Sequence, residues 1–205
     1  MVDQNSQFFA ILTNVGAAKQ ANADALGIPW KITQMAMPRK LKNMNLFNEG
    51  TSYLGVCKSC TLPPLSRKME GYRGGGMNGP VKADLGFSDD GIQFEWKTGG
   101  LDLLALRQFG AVKADGVMLR FAGSFQQDDT GTVSAVEVVV RGRHETIEMG
   151  EATPGEDTEH SITTTCSYYK LAVDGEVLVE IDLLNFIEII DGKDMLAEQR
   201  KALGI

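Results

Sequence analysis

The run EVLVEID, residues 176–182, follows a VDG turn and alternates apolar with charged side chains. A strand has a two-residue period, so Val177, Val179, Ile181 and then Leu183 fall on one face. Glu176, Glu180 and Asp182, with Leu178, fall on the other. Such a strand has one dry face and one wet face. The β pattern recurs in PVKADLGF, GIQFEWKTG, GVMLRFAGSFQQ, TVSAVEVVVRGRHETIEM and SITTTCSYYKLAV, and EVLVEIDLLNFIEII reads as one continuous strand. TSYLGVCKSCTLPPLSRKMEGY reads as two more strands around Pro63 and Pro64. Helical spacing is rare. LDLLALRQFG places Leu101, Leu104, Leu106 and Phe109 along a helix that stops at Gly110, packed on the sheet, and KDMLAEQRKALG ends at Gly204. The expected fold is therefore mostly β, a barrel or sandwich with a packed α-helix, a long extended hairpin and a short C-terminal helix.

YRGGGMNG, residues 72–79, puts four glycines into eight positions after a strand. A phosphate cradle would need G-x-G-x-x-G or G-x-x-x-x-G-K-[ST] opening a helix. Gly79 leads instead into Pro80, Val81 and Lys82, which resume an extended pattern, so the segment reads as a long hairpin loop.

The 205 residues are 43% hydrophobic and 23% charged, enough for one core with an appendage. The net charge of −7 argues against a general nucleic-acid binder, which needs clustered Lys and Arg. That charge is uneven: residues 1–36 sum to zero, residues 37–75 carry seven basic and two acidic groups, and the remainder carries 11 basic and 23 acidic. A basic segment ahead of an acidic body suits head-to-tail self-association. No stretch has transmembrane length, and MVDQNSQFFAILTNVG lacks a basic leader, so a cytosolically made, soluble protein is expected.

VCKSCTLP carries a C-x-x-C pair, a spacing used for zinc and for redox chemistry. Zinc would need further ligands from Cys166, His144 and His160, none of which has a second paired spacing. On a regular strand Cys57 and Cys60 point to opposite faces, and three cysteines suit a reducing compartment, so structural cysteines are expected, with a small metal or redox protein as the alternative. No residues group a nucleophile with a base, and the carboxylates of ETIEMGEATPGEDTEH read as a solvated loop. No enzyme and no cofactor is expected.

MAMPRKLKNMNLFNEGTSYLG, TLPPLSRKMEGYRGGGMNGPVKADLG, RFAGSFQQDDTG, VVVRGRHETIEMGE, GEDTEHSITTTCSYYKL and VDGEVLVEIDLLNFIEIIDGKDMLAEQRKALGI together resemble the major tail tube proteins of contractile-tailed phages and related phage-tail-like bacteriocins, in order over residues 35–205. The resemblance implies a tail-tube β-barrel in homohexameric rings, stacked helically inside a contractile sheath. Its partners would be the sheath, tape measure, baseplate and tail terminator proteins, with DNA as non-specific lumen cargo and no membrane insertion. It implies a virion-tail location, after synthesis in the bacterial host cytoplasm. A bacteriocin or secretion tube that carries no genome is the alternative.

On that resemblance the hairpin from Pro64 to Pro80 reaches a neighbouring subunit. Arg67, Lys68 and Arg73 would meet acidic surface there, beside Tyr72, while Gly74, Gly75 and Gly76 let the tip order on stacking. Pro38, Arg39, Lys40 and Leu41 would form an extended arm ordering at a ring junction. A DNA conduit must not hold phosphates, since each Lys or Arg contact adds counterion-release affinity. The wet face of Glu176, Glu180 and Asp182, or that of Glu137, is expected to line the lumen or face the sheath.

SQFFAILTNVGAAKQANADALGIPWKITQMA in residues 1–34 and just beyond is similar instead to the N-terminus of phage tail-fibre or tail-collar proteins. That pattern stops where QMA passes into MPRKLK, as in a fusion. TNVGAAKQANADALG has the composition of an Ala-rich helix, capped by Thr13 or Asn14 and closed by Gly27, in a segment expected to dock or stay partly disordered.

Overall fold

The computed structural model describes residues 36–205. The helix expected in TNVGAAKQANADALG lies outside them. Twelve strands and two helices follow in the order β1 (Lys40–Asn48), β2 (Thr51–Ser52), β3 (Cys57–Thr61), β4 (Arg67–Tyr72), β5 (Val81–Phe87), β6 (Ile92–Thr98), α1 (Leu103–Gln108), β7 (Val117–Gln126), β8 (Val133–Glu148), β9 (His160–Val173), β10 (Glu176–Asp182), β11 (Ile187–Ile190), β12 (Lys193–Asp194) and α2 (Ala197–Leu203).

The main sheet runs β12-β11-β10-β9-β8-β7-β1-β2, all antiparallel. β9 is long enough to serve two partners on one edge. Residues His160–Cys166 pair with β6, and Tyr168–Val173 pair with β10. The sheet branches there, with β3 continuing beyond β6. At the branch Ser167 is an extra residue opposite the step from Arg141 to Gly142. Gly142 is required by contact rather than by torsion: a Cβ on it would lie 2.1 Å from the Thr165 carbonyl oxygen and 2.9 Å from the Cys166 Cα.

Between the branches the alternating strands deliver Phe94, Trp96, Val117, Leu119, Phe121, Val138, Val140, Ile162 and Ile181 into one core. Trp96 and Tyr53 meet edge to face, with ring centroids 5.5 Å apart.

Three elements depart from the sequence expectation. β1 is a full strand despite Asn43, Asn45 and Asn48, poor strand formers, because Leu46 and Asn48 are completely buried in it. EVLVEIDLLNFIEII is two strands, broken by a turn that Asp182 builds: its Oδ1 accepts from the Leu184 and Asn185 amides at 3.0 Å, and Phe186 takes φ 56°. In α1 the buried residue is Ala105, whereas Leu101 and Phe109 are exposed.

Polar contacts explain that helix. Asp102 accepts from the Leu104 and Ala105 amides, capping its start. Gln108 and Asn48 exchange two amide hydrogen bonds, of 2.7 and 2.9 Å, and the His144 ring meets Thr164 Oγ1 at 2.9 Å and Gln108 Oε1 at 3.4 Å. Burial holds His144 well below its usual range, at about 4, with the Asp102 charge opposing in part. α2 buries no residue and ends on Gly204 in the left-handed conformation. It is tied down by Arg200, which donates to the Phe186 carbonyl at 2.9 Å and pairs with Asp194.

Candidate assembly surfaces

β4 and β5 form a two-stranded ribbon separate from the main sheet. Glu70 and Tyr72 face Ala83 and Val81 on one side, and Met69 and Gly71 face Asp84 and Lys82 on the other. Both sides are open to solvent: Tyr72 is 67% and Val81 61% exposed on the first, and Met69 is 47% exposed on the second. An isolated two-stranded ribbon is marginal in water, so this one is built around an apolar pair that the subunit itself leaves uncovered. At its tip the Met77 amide donates to the Gly74 carbonyl at 3.3 Å, and Gly76 takes φ 84°. Gly74 and Gly75 lie beside it, and Arg73 is exposed.

Within the subunit the basic stem already has acidic partners. Arg67 pairs with Asp84 at 3.1 Å and with the buried Glu188 of β11, and its guanidinium lies 5.3 Å from the Phe87 ring centroid. Lys68 pairs with Asp89 at 2.6 Å. The root is thus neutralised within the chain, and of Arg67, Lys68 and Arg73 only Arg73 makes no ion pair among the described residues.

Lys40 and Leu41 already lie in the sheet, opposite Gln126 and Phe125, rather than in an arm awaiting order. Pro38 and Arg39 precede them, exposed. On its other side β1 meets β2 only through Phe47 and Asn48, so among the described residues no strand pairs with Lys40–Asn45 there. That edge offers unpaired backbone groups to another chain.

The outer face of the main sheet holds Glu137, Glu180 and Asp182, but not Glu176. Leu178 is a bulge, so Val177 registers with Ala172 while Val179 registers with Leu171. Val177 and Val179 therefore point to opposite faces, and Glu176, opposite Val173, shares its face with Val179 and Ile181. Nor is the outer face simply acidic. Arg120 donates to Glu137 at 3.1 Å and lies 4.1 Å from the Phe47 ring centroid. Arg141 lies over Tyr168, whose hydroxyl donates to Glu180 at 2.8 Å. Burial, reinforced by Glu180, pushes Tyr168 up to about 12. Lys170 sits opposite Glu180 and Val139. Arginines and carboxylates alternate, each held by a partner.

Cys57 and Cys60 do not diverge either. A bulge at Lys58 brings their sulfurs to 3.4 Å. Among the described residues no three His, Cys, Asp or Glu side chains converge as metal ligands. The carboxylate-rich loop is tethered by Lys97 to Glu159 at 2.8 Å and by Lys58 to Asp157.

Residues 38–204 match the family model described as phage tail tube protein FII, and residues 4–40 match one described as phage tail-collar fibre protein, N-terminal. The tail tube protein of Escherichia phage P2 is 52% identical over 172 residues, covering 83% of this chain and 100% of that protein. The major tail tube protein of Serratia phage KSP20 is 42% identical over 172 residues, covering 83% and 99%. Among solved structures, the sheath-tube complex of the extracellular contractile injection system PVC contains a chain with TM-score 0.49 and 12% identity, covering 66% of this chain and 91% of that one.

Proposed function

The chain belongs to the phage tail tube protein family, and from that premise we propose that it polymerises as stacked hexameric rings forming the inner tube of a contractile tail. The protein is a virion tail component. DNA passes through the tube from capsid to host as non-specific cargo. Copies of the same chain are the main partners, with a sheath outside, a tape measure within, and baseplate and terminator proteins at the ends. The role is structural and asks for no catalytic group.

The observation that carries this reading is the exposed ribbon. β4 and β5 project with Tyr72 and Val81 uncovered, on a root fixed by Arg67 and Glu188. A neighbour in the stack would cover that pair, and Arg73 would supply charge at the contact. The open edge of β1, beginning at Pro38, Arg39, Lys40 and Leu41, would join the next subunit within the ring.

In this reading the outer sheet face lines the lumen. Glu137 and Glu180 hold Arg120 and Tyr168, the latter beneath Arg141, so the two arginines of the face are already engaged and gain little from a passing phosphate. Glu176 sits apart, on the opposite face. Residues 1–34 are an appended segment, joined near Met35 and Ala36, to which no fibre role is assigned.

Electron microscopy of the purified protein, paired with light scattering, tests the assembly. Hollow tubes or six-membered rings are expected. A monomer that stays monomeric after residues 1–34 are deleted, and that is not incorporated when baseplates are supplied, would count against it.

A further inference from the structure

We propose that Cys57 and Cys60 form a dithiol that a low-molecular-weight disulfide of the glutathione class oxidises to an intrachain disulfide. On a regular strand, residues three apart point to opposite faces and cannot be bridged. β3 is not regular. Cys57 registers with Thr98, Ser59 with Lys97 and Cys60 with Trp96, which leaves Lys58 as an extra residue. The two cysteines therefore stand opposite positions two apart on β6, and on one face.

Two strand residues span roughly 6.8 Å, within the ~4.4–6.8 Å between Cα atoms that a disulfide accepts. The sulfurs already touch, at 3.4 Å. Both residues are half-buried, on a strand that among the described residues pairs only with β6, so a small reagent can reach them from the open edge.

The pair is also chemically unequal. The Cys60 thiol stabilises a thiolate on Cys57 by hydrogen bonding, which lowers Cys57 and raises Cys60. The Cys57 thiolate attacks one sulfur of the small disulfide, forming a mixed disulfide and expelling one thiolate, which takes a proton. Cys60, losing its proton to solvent, then attacks the Cys57 sulfur and expels the second thiolate. Two protein thiols are oxidised and one small disulfide is reduced to two thiols. Cys166 cannot take part: it is 3% exposed, and burial pushes its thiol up to about 12. In a reducing cytosol the pair stays open, and in the oxidising medium met after release it closes. Closure fixes the Lys58 bulge and with it the register of β3 on β6.

The test uses the full chain in its native state, incubated with oxidised glutathione, alkylated with iodoacetamide and mapped by peptide mass. Cys57 and Cys60 should lose alkylation together, their peptide should lose two hydrogens, and Cys166 should become alkylatable only on unfolding. Cys60→Ser should stop at a glutathione adduct on Cys57, and Cys57→Ser should form no ring. Wild-type protein that remains fully alkylatable, or that carries two glutathione adducts without closing, would overturn the proposal. So would stoichiometric zinc held by the reduced pair.

Discussion

Arg67 on the ribbon root pairs with Glu188, a carboxylate whose side chain is only 4% exposed on β11. The arginine itself is 40% exposed, so the pair is buried at one end and wet at the other. Removing Arg67 leaves Glu188 desolvated without its cation. Arg67→Ala should destabilise the subunit by about 1–3 kcal/mol in chemical denaturation. It should also loosen the ribbon, read as faster amide exchange in β4 and β5. Glu188→Gln, which keeps an acceptor for Arg67, should lose less; equal losses would mean that Glu188 does not depend on Arg67.

At the ribbon tip a Gly74→Pro, Gly75→Pro variant should fold with a melting temperature near the parent's and fail to polymerise. Proline at Gly74 removes the amide that contacts Met77 Sδ at 3.1 Å and fixes torsions in the loop. Subunit stability should move by less than ~0.5 kcal/mol, as for other surface changes. Parent-like tubes in the microscope would remove the tip from the stacking contact.

Replacing Glu137 and Glu180 together by Gln removes two carboxylate charges from the proposed lumen face and takes from Arg120 its ion-pair partner, while Arg141 keeps its contact with the Tyr168 ring. Tubes should still form, while DNA ejection slows and becomes more salt-dependent, because the freed cation adds a counterion-release contact. Unchanged ejection would move this face to the sheath side.

His144 makes stability depend on pH in a defined direction. Burial beside Trp96, Thr164 and Gln108 lowers its proton affinity to about 4, against an ordinary 6.5, with Asp102 opposing in part. The unfolded chain therefore binds the extra proton first. The stabilisation is intact above an ordinary histidine pKa, declines as pH falls toward about 4, and is gone below it. The loss from this group is on the order of 3 kcal/mol. Denaturant midpoints measured between about pH 7 and pH 4 should show that slope, and His144→Gln should flatten it.

Much of the architecture is legible because period carries it: β6 and β7 follow their alternation, β8 and β9 follow theirs up to their bulges, and the VDG turn forms with Asp174 and Gly175 at positive φ. What period does not reveal is where it slips. A single extra residue at Leu178 separates Glu176 from Glu180, and another at Lys58 brings Cys57 to Cys60; neither carries a composition signal. β1 is masked by its asparagines, and the burial of one of them, Asn48, goes with a partner, Gln108, some sixty positions away. The pairing of Arg67 with Glu188 is likewise set by tertiary placement. A basic run next to an acidic body is a fair sign of attraction, and part of that attraction, through Arg67 and Lys68, is met inside the subunit.

The reciprocal amide bonds between Asn48 and Gln108 have a mechanical consequence. A helix seated on oil can roll by a fraction of a turn with little penalty, since dispersion has no direction. One seated on paired amides has a single angular setting, because rotation breaks both bonds at once. α1 therefore behaves as a keyed shaft rather than a bearing. Leu103 and Phe109, exposed on its outside, are held at fixed azimuths, so each subunit would present them in the same orientation and repeat them around a ring as evenly as the teeth of a gear.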